Sequence, residues 1–471
     1  MTDAVDLIVV GAGPAGLSAA VLASEHGLSV LLLDEQGAPG GQIYRNIEHN
    51  TANDPETCAI LGPEYIHGAS LAAACRQSSV TYTPDATVWR IDPNGAVTYS
   101  TDGAARTARA RRVILATGAM ERPVPIPGWT LPGVMTAGAA QTLLKSSAIL
   151  PAGRVVVAGA GPLAMLVTQQ LIAAGANVAA LLETTRKRDY IGNALSLPQA
   201  LSGQEYLRRG LAMRRAIRAS GVPIHSGVTG LEAHGAGRVS SVRCRADGNR
   251  IAIDIDTLLL HDGVVPNVQA TRQLGCIHEW NERQRYWRPL RDEWGASSID
   301  VIAVAGDGAG ISGARAAEFY GRLAALDAAH RLGRISRDDR DSAARPIRSA
   351  MRPHLAIRPL LDGVFAPSFT TPDADDTIIC RCEEVTAGDI RAAVSQGAMG
   401  PNQLKAFTRC GMGPCQGRNC GLTAAELIAE SQGVTVPEVG YFRLRPPIKP
   451  VTLGELAAMD LSETEPYAKY D

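Results

Sequence analysis

The first part of the chain alternates short apolar runs with glycine turns and helix-length segments. An apolar run, a glycine turn, an apolar helix-length segment and a second apolar run follow one another between Leu7 and Leu33. The same succession returns between Val155 and Leu182. Short apolar runs that alternate with helical segments are typical of parallel strands buried on both faces. The pattern therefore predicts two copies of a βαβ unit in an α/β protein with a doubly wound sheet.

Composition divides the rest of the chain into segments. The proline-rich stretch Pro123–Pro132 predicts a rigid crossing between the two units. Residues 337–376 are rich in Arg, Asp and Pro with weak periodicity, which predicts an irregular linker. The predicted boundaries are a discontinuous first domain at 1–150 and 263–336, a second domain at 151–262, the linker at 337–376, a small cysteine-rich domain at 377–433 and an extended tail at 434–471.

Overall charge and composition exclude several classes of function. The 471 residues include 46 basic and 47 acidic side chains, and aromatic residues make up only 4%. Such a chain has neither the basic excess nor the stacking side chains that nucleic-acid binding needs. Because we find no secretory signal and no membrane-length apolar segment, we expect a cytoplasmic protein. A peripheral position at the inner membrane is the alternative.

A glycine-rich turn follows the first predicted strand. The segment reads Gly11-Ala12-Gly13-Pro14-Ala15-Gly16 and opens a predicted helix. In a dinucleotide site the first glycine allows the tight turn, the second admits the pyrophosphate and the third allows close helix packing. Asp34 and Glu35 end the next strand, where an acid binds a ribose hydroxyl. We therefore predict that Gly11, Gly13, Pro14, Ala15, Gly16, Asp34 and Glu35 bind a dinucleotide.

Two other strand ends carry turns of the same kind. Thr117-Gly118 ends the run at 113–116, and Gly306-Asp307 follows a run that ends at Ala305. Together with the first turn, this set resembles the two-dinucleotide-binding-domain flavoproteins, the family of glutathione reductase and thioredoxin reductase. The resemblance covers residues 1 to about 335. It implies that FAD is bound, that Asp307 holds the ribityl chain and that the loop containing Gly41 and Gln42 passes close to the flavin ring.

The second glycine turn points to a second nucleotide. It reads Gly159-Ala160-Gly161-Pro162, and Glu183 ends the following strand. Asp34 lies seven residues after Gly27, the glycine before the second strand of the first unit. The residue seven positions after Gly175, the corresponding glycine of the second unit, is Leu182 and not Glu183. The resemblance implies NAD(P) at Gly159, Gly161, Pro162 and Glu183. A bound ATP that does not react, or a purely structural domain, is an equal alternative.

The cysteines exclude a disulfide reductase and point to a cluster. No cysteine follows Gly41-Gln42 closely, and the chain contains no C-x-x-C pair. Five of its nine cysteines crowd into residues 380–420. Four thiolates suit a [2Fe–2S] cluster, whereas a C-x-C pair is unusual for zinc, which remains the alternative. We also find no acid–base pair for substrate chemistry, and His261 is expected to be structural.

The cysteine segment has the form of a known domain. The motifs Cys380-Arg381-Cys382-Glu383-Glu384-Val385 and Cys410-Gly411-Met412-Gly413-Pro414-Cys415-Gln416-Gly417-Arg418 resemble the bacterioferritin-associated ferredoxin-like [2Fe–2S] domain. The resemblance implies Cys380, Cys382, Cys410 and Cys415 as ligands, and leaves open whether Cys420 replaces Cys415. We expect the FAD and cluster sites to be independent modules.

The order of these units, followed by the proline-rich stretch 442–450, resembles the α (A) subunit of heteromeric flavin dehydrogenases. That group includes opine oxidases, D-hydroxyproline dehydrogenase and hydrogen cyanide synthase, with heterotetrameric sarcosine oxidase more distant. The resemblance implies a flavoprotein β subunit that oxidises the C–N bond of an opine, amino or imino acid. It also implies electron relay through FAD and [2Fe–2S]. Further options are an FMN at the α/β interface and a small third subunit.

Two other functions remain open from the sequence. A self-sufficient NAD(P)H-dependent FAD and iron–sulfur reductase would use the second glycine turn. A non-enzymatic cluster-assembly or sensing protein would not need the flavin. The absence of a dithiol and of an acid–base pair favours electron relay over both, because relay requires cofactors but no substrate-directed proton transfer.

Overall fold

The computed structural model describes residues 5–369 and 371–459. The first 150 residues begin with strand, helix and strand and continue with a run of helices and a run of strands. In chain order the elements there are β1 (Val5–Val10), α1 (Pro14–Glu25), β2 (Val30–Leu33), α2 (Ile47–Asn53), α3 (Pro55–Leu61), α4 (Pro63–Ile66), α5 (Gly68–Gln77), β3 (Thr81–Thr83), β4 (Thr87–Ile91), β5 (Ala96–Thr101), β6 (Ala104–Leu115), β7 (Ala119–Glu121), β8 (Val134–Thr136) and α6 (Ala137–Ser147).

The middle of the chain repeats the order strand, helix and strand and then returns to the first domain. Its elements are β9 (Arg154–Gly159), α7 (Pro162–Ala173), β10 (Asn177–Glu183), α8 (Lys187–Gly192), α9 (Leu197–Ala200), α10 (Gln204–Ala219), β11 (Ile224–Ser226), β12 (Thr229–His234), β13 (Ser241–Ala246), β14 (Asn249–Asp254), β15 (Thr257–His261), β16 (Val264–Pro266), α11 (Gln269–Gln273), β17 (His278–Asn281), β18 (Tyr286–Pro289), β19 (Ile302–Val304) and α12 (Ala314–Arg331).

The C-terminal part is mainly helical. Its elements are α13 (Arg337–Ala356), α14 (Arg358–Val364), β20 (Ile378–Cys380), β21 (Val385–Thr386), α15 (Ala387–Ser395), α16 (Pro401–Thr408), α17 (Gly421–Gln432), α18 (Val436–Val439) and α19 (Leu453–Ala457). Within the described residues, no helix combines the length and apolar character needed to cross a membrane.

The first sheet has β1 at its centre, with β2 and β6 parallel on either side. β3 continues it beyond β2, and β19 pairs with the C-terminal half of β6. The N-terminal half of β6 instead pairs antiparallel with β5, which pairs with β4. Because β19 returns to this sheet, the first domain is built from two separate stretches of the chain.

The second sheet is parallel, in the order β11-β10-β9-β15-β8. In both sheets a central strand leads through a glycine turn into a helix, β1 into α1 and β9 into α7. The α/β fold with two dinucleotide-binding units is therefore confirmed. The carboxyl ends of the central strands, where ligands bind in such sheets, define the candidate sites.

The expected irregular linker at 337–376 is wrong over residues 337–364, which α13 and α14 occupy. The apolar positions Ala344, Ile347 and Met351 recur at helical spacing and pack with α12 residues in a buried cluster. Pro346 and Pro353 lie inside α13. High charge and these two prolines obscured the apolar face, which only its packing partner reveals.

The cysteine-rich unit packs directly against the first domain. Its core includes Tyr286 and Trp287 of β18 together with buried residues of α15 and α17. Phe442 from the segment after α18 lies in the same core, and Ile448 lies in the core of the first domain. The chain beyond α18 therefore ties the two units together, and the cluster loop faces the first domain.

Candidate cofactor sites

The first glycine turn has the close contacts that a dinucleotide site requires. Gly11 has a φ of 104°, and a Cβ on Gly16 would overlap the carbonyl oxygen of Gly11. A Cβ on Gly41 would lie 2.8 Å from the Cα of Gly13. The turn therefore brings backbone N–H groups at the start of α1 close to the Gly41 loop, an arrangement that accommodates phosphate oxygens.

Asp34 supports this turn from the end of β2. Its carboxylate accepts hydrogen bonds from the backbone N–H groups of Ala12 and Gln36, the latter at 2.8 Å. Burial raises the pKa of Asp34. Each carboxylate oxygen retains a free lone pair, so the side chain can still accept a ribose hydroxyl. Glu35 is exposed and forms an ion pair with Lys449 at 2.5 Å.

Asp307 lies where the second part of the first domain meets this turn. Its Oδ1 accepts the backbone N–H groups of Ser312 at 2.8 Å and Gly313 at 3.0 Å, just before α12. Burial raises the pKa of Asp307. Gly306 has a different role, because a Cβ there would lie 2.8 Å from the Cβ of Ala15. Gly306 thus allows the Asp307 turn to approach α1.

These residues surround one cavity of about 1650 Å³. Its size exceeds the usual range for small-ligand sites, which suits a dinucleotide with additional open space. Gly16 and Gly306 lie outside the cavity wall, in agreement with their packing roles. The predicted first-site residues that line the cavity are Gly11, Gly13, Pro14, Ala15, Asp34, Glu35, Gly41, Gln42, Thr117, Gly118 and Asp307.

The predicted match of Leu182 to Asp34 is wrong. In β10 the register shifts between Val178 and Ala180, and this irregularity accommodates one additional residue. As a result Glu183 pairs with Gly159, the first glycine of the second turn. Glu183 therefore holds the position that Asp34 holds in the first unit. Its carboxylate already bonds Arg214 at 2.7 Å and the hydroxyl of Ser226 at 2.9 Å.

The second glycine turn is partly covered by the chain itself. A Cβ on Gly161 would lie 3.8 Å from the Cβ of Phe365, which directly follows α14. The Phe365 ring packs edge-on against Tyr190. Ser368 then donates to the hydroxyl of Thr184 at 2.7 Å. Residues 365–368 therefore lie across the carboxyl end of the second sheet, although Pro162 still lines the large cavity.

The five C-terminal cysteines form one group with two parts. The Sγ atoms of Cys380, Cys410 and Cys420 all lie within 4.8 Å of one another, and all three residues are buried. Cys382 is hydrogen-bonded to both the backbone and the thiol of Cys415. Hydrogen bonds from the thiols of Cys410 and Cys420 lower the pKa of Cys380 to about 2. The site thus offers sulfur ligands only, which suits an iron–sulfur cluster.

Cys420 occupies a different place from the one expected. The sequence left Cys415 and Cys420 as alternatives, but Cys415 lies beside Cys382 while Cys420 lies with Cys380 and Cys410. By position, Cys420 is therefore grouped with Cys410 and not with Cys415. Cys420 is the N-cap residue of α17, beside the N–H groups that the first helical turn leaves unpaired. Hydrogen bonds with the thiols of Cys380 and Cys410, together with burial, raise the pKa of the Cys420 thiol.

Arg418, the last residue of the second cysteine motif, links the cysteine loop to the large cavity. Its guanidinium donates to the carbonyl oxygens of Cys415 at 3.2 Å and Ile448 at 3.0 Å. The buried Nε finds no hydrogen-bond partner in the part of the chain that the structure describes. Arg418 and Cys415 both line the cavity, as do Ile448 and Lys449. The two sites therefore share a wall, close to Glu35.

Lys145 is a residue that the sequence did not single out. It lies on α6, is almost fully buried, and lines the same cavity. Its Nζ donates to Oε1 of Gln141 at 2.9 Å and to the carbonyl oxygen of Gln42 at 3.2 Å. Burial, reinforced by the nearby Arg45 charge, lowers the pKa of Lys145 to about 7. A lysine next to the Gln42 loop places a titratable cation at the cavity wall.

His261 belongs to a buried pair that the sequence did not predict. Its Nδ1 lies 2.5 Å from Oε1 of Glu121, and the other carboxylate oxygen of Glu121 accepts the N–H of Gly138 at 2.8 Å. Glu121 lines the cavity at the N-terminus of α6. Because β7 and β15 are far apart in sequence, no local motif pointed to this pair.

Comparisons with known proteins agree with this geometry. Residues 5–333 match the pyridine nucleotide-disulphide oxidoreductase model, and residues 375–460 match the sarcosine oxidase A3 domain. The A subunit of opine oxidase from Agrobacterium tumefaciens (strain Ach5) is 43% identical over 97% of this chain and 92% of its own length. The chain belongs to the pyridine nucleotide-disulphide oxidoreductase family, in the group of the opine oxidase A subunits.

Two further comparisons extend this result. Hydrogen cyanide synthase subunit HcnB of Pseudomonas aeruginosa is 34% identical over 94% of this chain and 96% of its own length. L-proline dehydrogenase from P. horikoshii superposes with a TM-score of 0.69 at 20% identity, covering 96% of this chain and 79% of that one. The latter shows a shared fold. The family assignment establishes an FAD-dependent oxidoreductase of the kind found in multi-subunit enzymes.

Proposed function

We propose that this chain is the electron-transferring subunit of a heteromeric flavin dehydrogenase. A partner flavoprotein subunit oxidises the C–N bond of an opine or another amino or imino acid. The observation that carries this proposal is the wall shared by the flavin cavity and the cysteine loop, at Cys415 and Arg418. The relatives support the substrate class, since the protein from Agrobacterium tumefaciens is named as an opine oxidase subunit.

The residues at the first site fit FAD. The glycine turn would receive the pyrophosphate, Asp34 the adenosine ribose and Asp307 the ribityl chain. Arg418 borders the adenosine end, where its partnerless Nε suits an additional polar contact. Gln42 and Lys145 lie at another part of the cavity wall, next to each other. Bound FAD would supply two-electron acceptance and single-electron release.

The cysteine loop fits a [2Fe–2S] cluster with two ligands on each side. Cys382 and Cys415 would form one pair, and Cys380 with Cys420 the other. The N–H of Gly411 donates to the sulfur of Cys380, and such bonds tune an iron–sulfur centre. Cys410 would remain as a buried neighbour, since Cys420 benefits from the helix N-terminus.

The second nucleotide site does not favour NAD(P)H. Phe365 lies beside Gly161 and the Glu183 carboxylate is engaged by Arg214, so both the phosphate and ribose positions are restricted. We therefore infer that electrons enter from the partner subunit, not from a nicotinamide. ATP at this site and FMN at the interface with the partner remain options within the proposal, as does a small third subunit.

An anaerobic titration of the purified chain, loaded with FAD and iron, tests this function. We expect NADH and NADPH to leave the flavin absorbance unchanged over minutes. Addition of the partner subunit with an opine should bleach the flavin and then the cluster. Rapid bleaching by NADH alone would refute the proposal and support a self-sufficient reductase. A Cys382→Ser variant, which should lack the cluster, is the control. In this variant only the flavin absorbance should bleach.

A further inference from the structure

An apolar surface is exposed next to the second nucleotide site. From α8 to the middle of α10 the chain presents large hydrophobic side chains to solvent, with Leu195 95% and Ile191 76% exposed. Leu197, Leu201 and Leu211 of the same segment are also exposed. Single exposed hydrophobic residues are common, but several on one short segment indicate an interaction site. We call this group the 191–211 surface.

The surroundings of this surface are strongly basic. Residues 186–218 contain eight arginines or lysines and only two acids, whereas the whole chain carries a net charge of −1. On α10, Arg208, Arg215 and Arg218 recur at helical spacing around Leu211 on the solvent side. Among the described residues, no carboxylate forms an ion pair with these three arginines. An apolar centre with an unpaired basic rim is complementary to an apolar face with acidic neighbours.

The surface adjoins the large cavity. Tyr190, Leu197 and Leu211 line the cavity as well as being exposed to solvent. A protein bound to the 191–211 surface would therefore lie directly beside the opening of the space that contains the proposed flavin site. This position suits a partner that delivers electrons, because its own redox group must approach the cavity.

We propose that the 191–211 surface is the docking site for the catalytic partner subunit, through an apolar patch with an acidic rim on that subunit. The inference rests on the proposed function, because the catalytic partner subunit is itself part of that proposal. The apolar residues supply the buried centre of the interface, and the arginines orient the partner and accelerate association. The contact would also cover side chains that otherwise remain in water.

The test uses the full chain and its partner flavoprotein subunit, purified separately. Opine-dependent reduction of a dye by the wild-type pair first tests the proposed function alone. We then measure the dissociation constant of the pair for Leu195→Asp and Arg215→Glu. Burial of a charge at the centre of the interface should raise the constant at least about 30-fold for Leu195→Asp. Arg215→Glu should weaken binding and reduce its dependence on salt.

A matched control is available on another face. Leu453 in α19 is 85% exposed, and Leu453→Asp should leave the dissociation constant unchanged. All three variants should keep their FAD and iron content, which is measured by absorbance. A variant that loses opine-dependent dye reduction should regain it when the partner subunit is in excess. This result would further support docking, because it shows that the complex is active once it has assembled.

Three results would overturn the docking proposal. The first is an unchanged dissociation constant for Leu195→Asp in an experiment where the wild-type pair is active. The proposed function would then still hold. The second is conversion of a self-associated wild-type chain into a monomer by Leu195→Asp, which would assign the surface to a second copy. The third is that the wild-type chain binds phosphatidylglycerol vesicles and Leu195→Asp does not, while the dissociation constant of the two subunits is the same for both. An inactive wild-type pair would instead refute the proposed function.

Discussion

Replacement of Lys145 by Met should stabilise the FAD-free protein at neutral and acidic pH. Burial lowers the pKa of Lys145 from 10.5 to about 7, so the unfolded chain binds a proton more readily than the folded one between these values. At about 1.4 kcal/mol per pH unit, the difference destabilises the folded state by up to about 5 kcal/mol at or below pH 7. The penalty falls as pH rises and vanishes above about pH 10.5.

The side chain also makes favourable contacts that Met would lose. Hydrogen bonds to Gln141 and Gln42 contribute about 1 kcal/mol each. Lys145→Met should therefore gain about 3 kcal/mol at pH 6, and the gain should cancel near pH 9. The free energy of unfolding is measured by urea titration with tryptophan fluorescence at several pH values.

The pH dependence is the decisive part of this experiment. Lys187→Met serves as the control, because Lys187 is exposed at the start of α8 and its replacement should change stability little at any pH. An effect of Lys145→Met that stays constant from pH 6 to pH 9 would refute the reasoning. It would mean that the buried amine keeps its proton across this range.

Three other substitutions test the shared wall and the two sites. Arg418→Gln should keep the iron but weaken FAD binding by about tenfold, measured as flavin release on dilution, because a guanidinium is lost from the cavity wall. Cys420→Ser should abolish the visible absorbance of the cluster, whereas Cys410→Ala should retain most of it, as measured by spectrum and iron content. Gly41→Ala should lower FAD occupancy, measured by flavin absorbance with circular dichroism as a folding check, since its methyl group would lie 2.8 Å from the Cα of Gly13.

Each of these three predictions has a result that would contradict it. Unchanged FAD affinity in Arg418→Gln would mean that the guanidinium only braces the cysteine loop. Loss of the cluster in Cys410→Ala, with retention in Cys420→Ser, would return Cys410 to the ligand set. Full FAD occupancy in Gly41→Ala would show that the Gly41 loop is free to move away from the glycine turn.

Local motifs were sufficient for much of the fold and for the chemistry of the sites. The first glycine turn could be recognised because a positive φ at Gly11 and close helix packing at Gly16 permit no side chain at either position. The Cys380 and Cys382 pair could be recognised because its residue type already limits the possible metals. These are properties of a few neighbouring residues, so the sequence alone carries them.

Long-range packing decided what the motifs left open. Helix α13 forms on a charged, proline-containing segment because Ile347 and Met351 meet the apolar face of α12. The irregular register in β10 places Glu183 opposite Gly159, where residue counting had placed Leu182. Counting residues along the chain cannot reveal a strand irregularity, because the irregularity is defined by how the strand pairs with its neighbour.

The sequence by itself determined two nucleotide-binding units, a cysteine-rich domain and the residue types of their sites. Only the tertiary structure decided that the cavity of the first site and the cysteine loop share a wall. It also decided that Lys145 is buried beside Gln42 and that Cys420 lies with Cys380. The reason is physical, since burial and proximity depend on surfaces contributed by distant parts of the chain, whereas turn geometry and ligand chemistry depend on single residues and their neighbours.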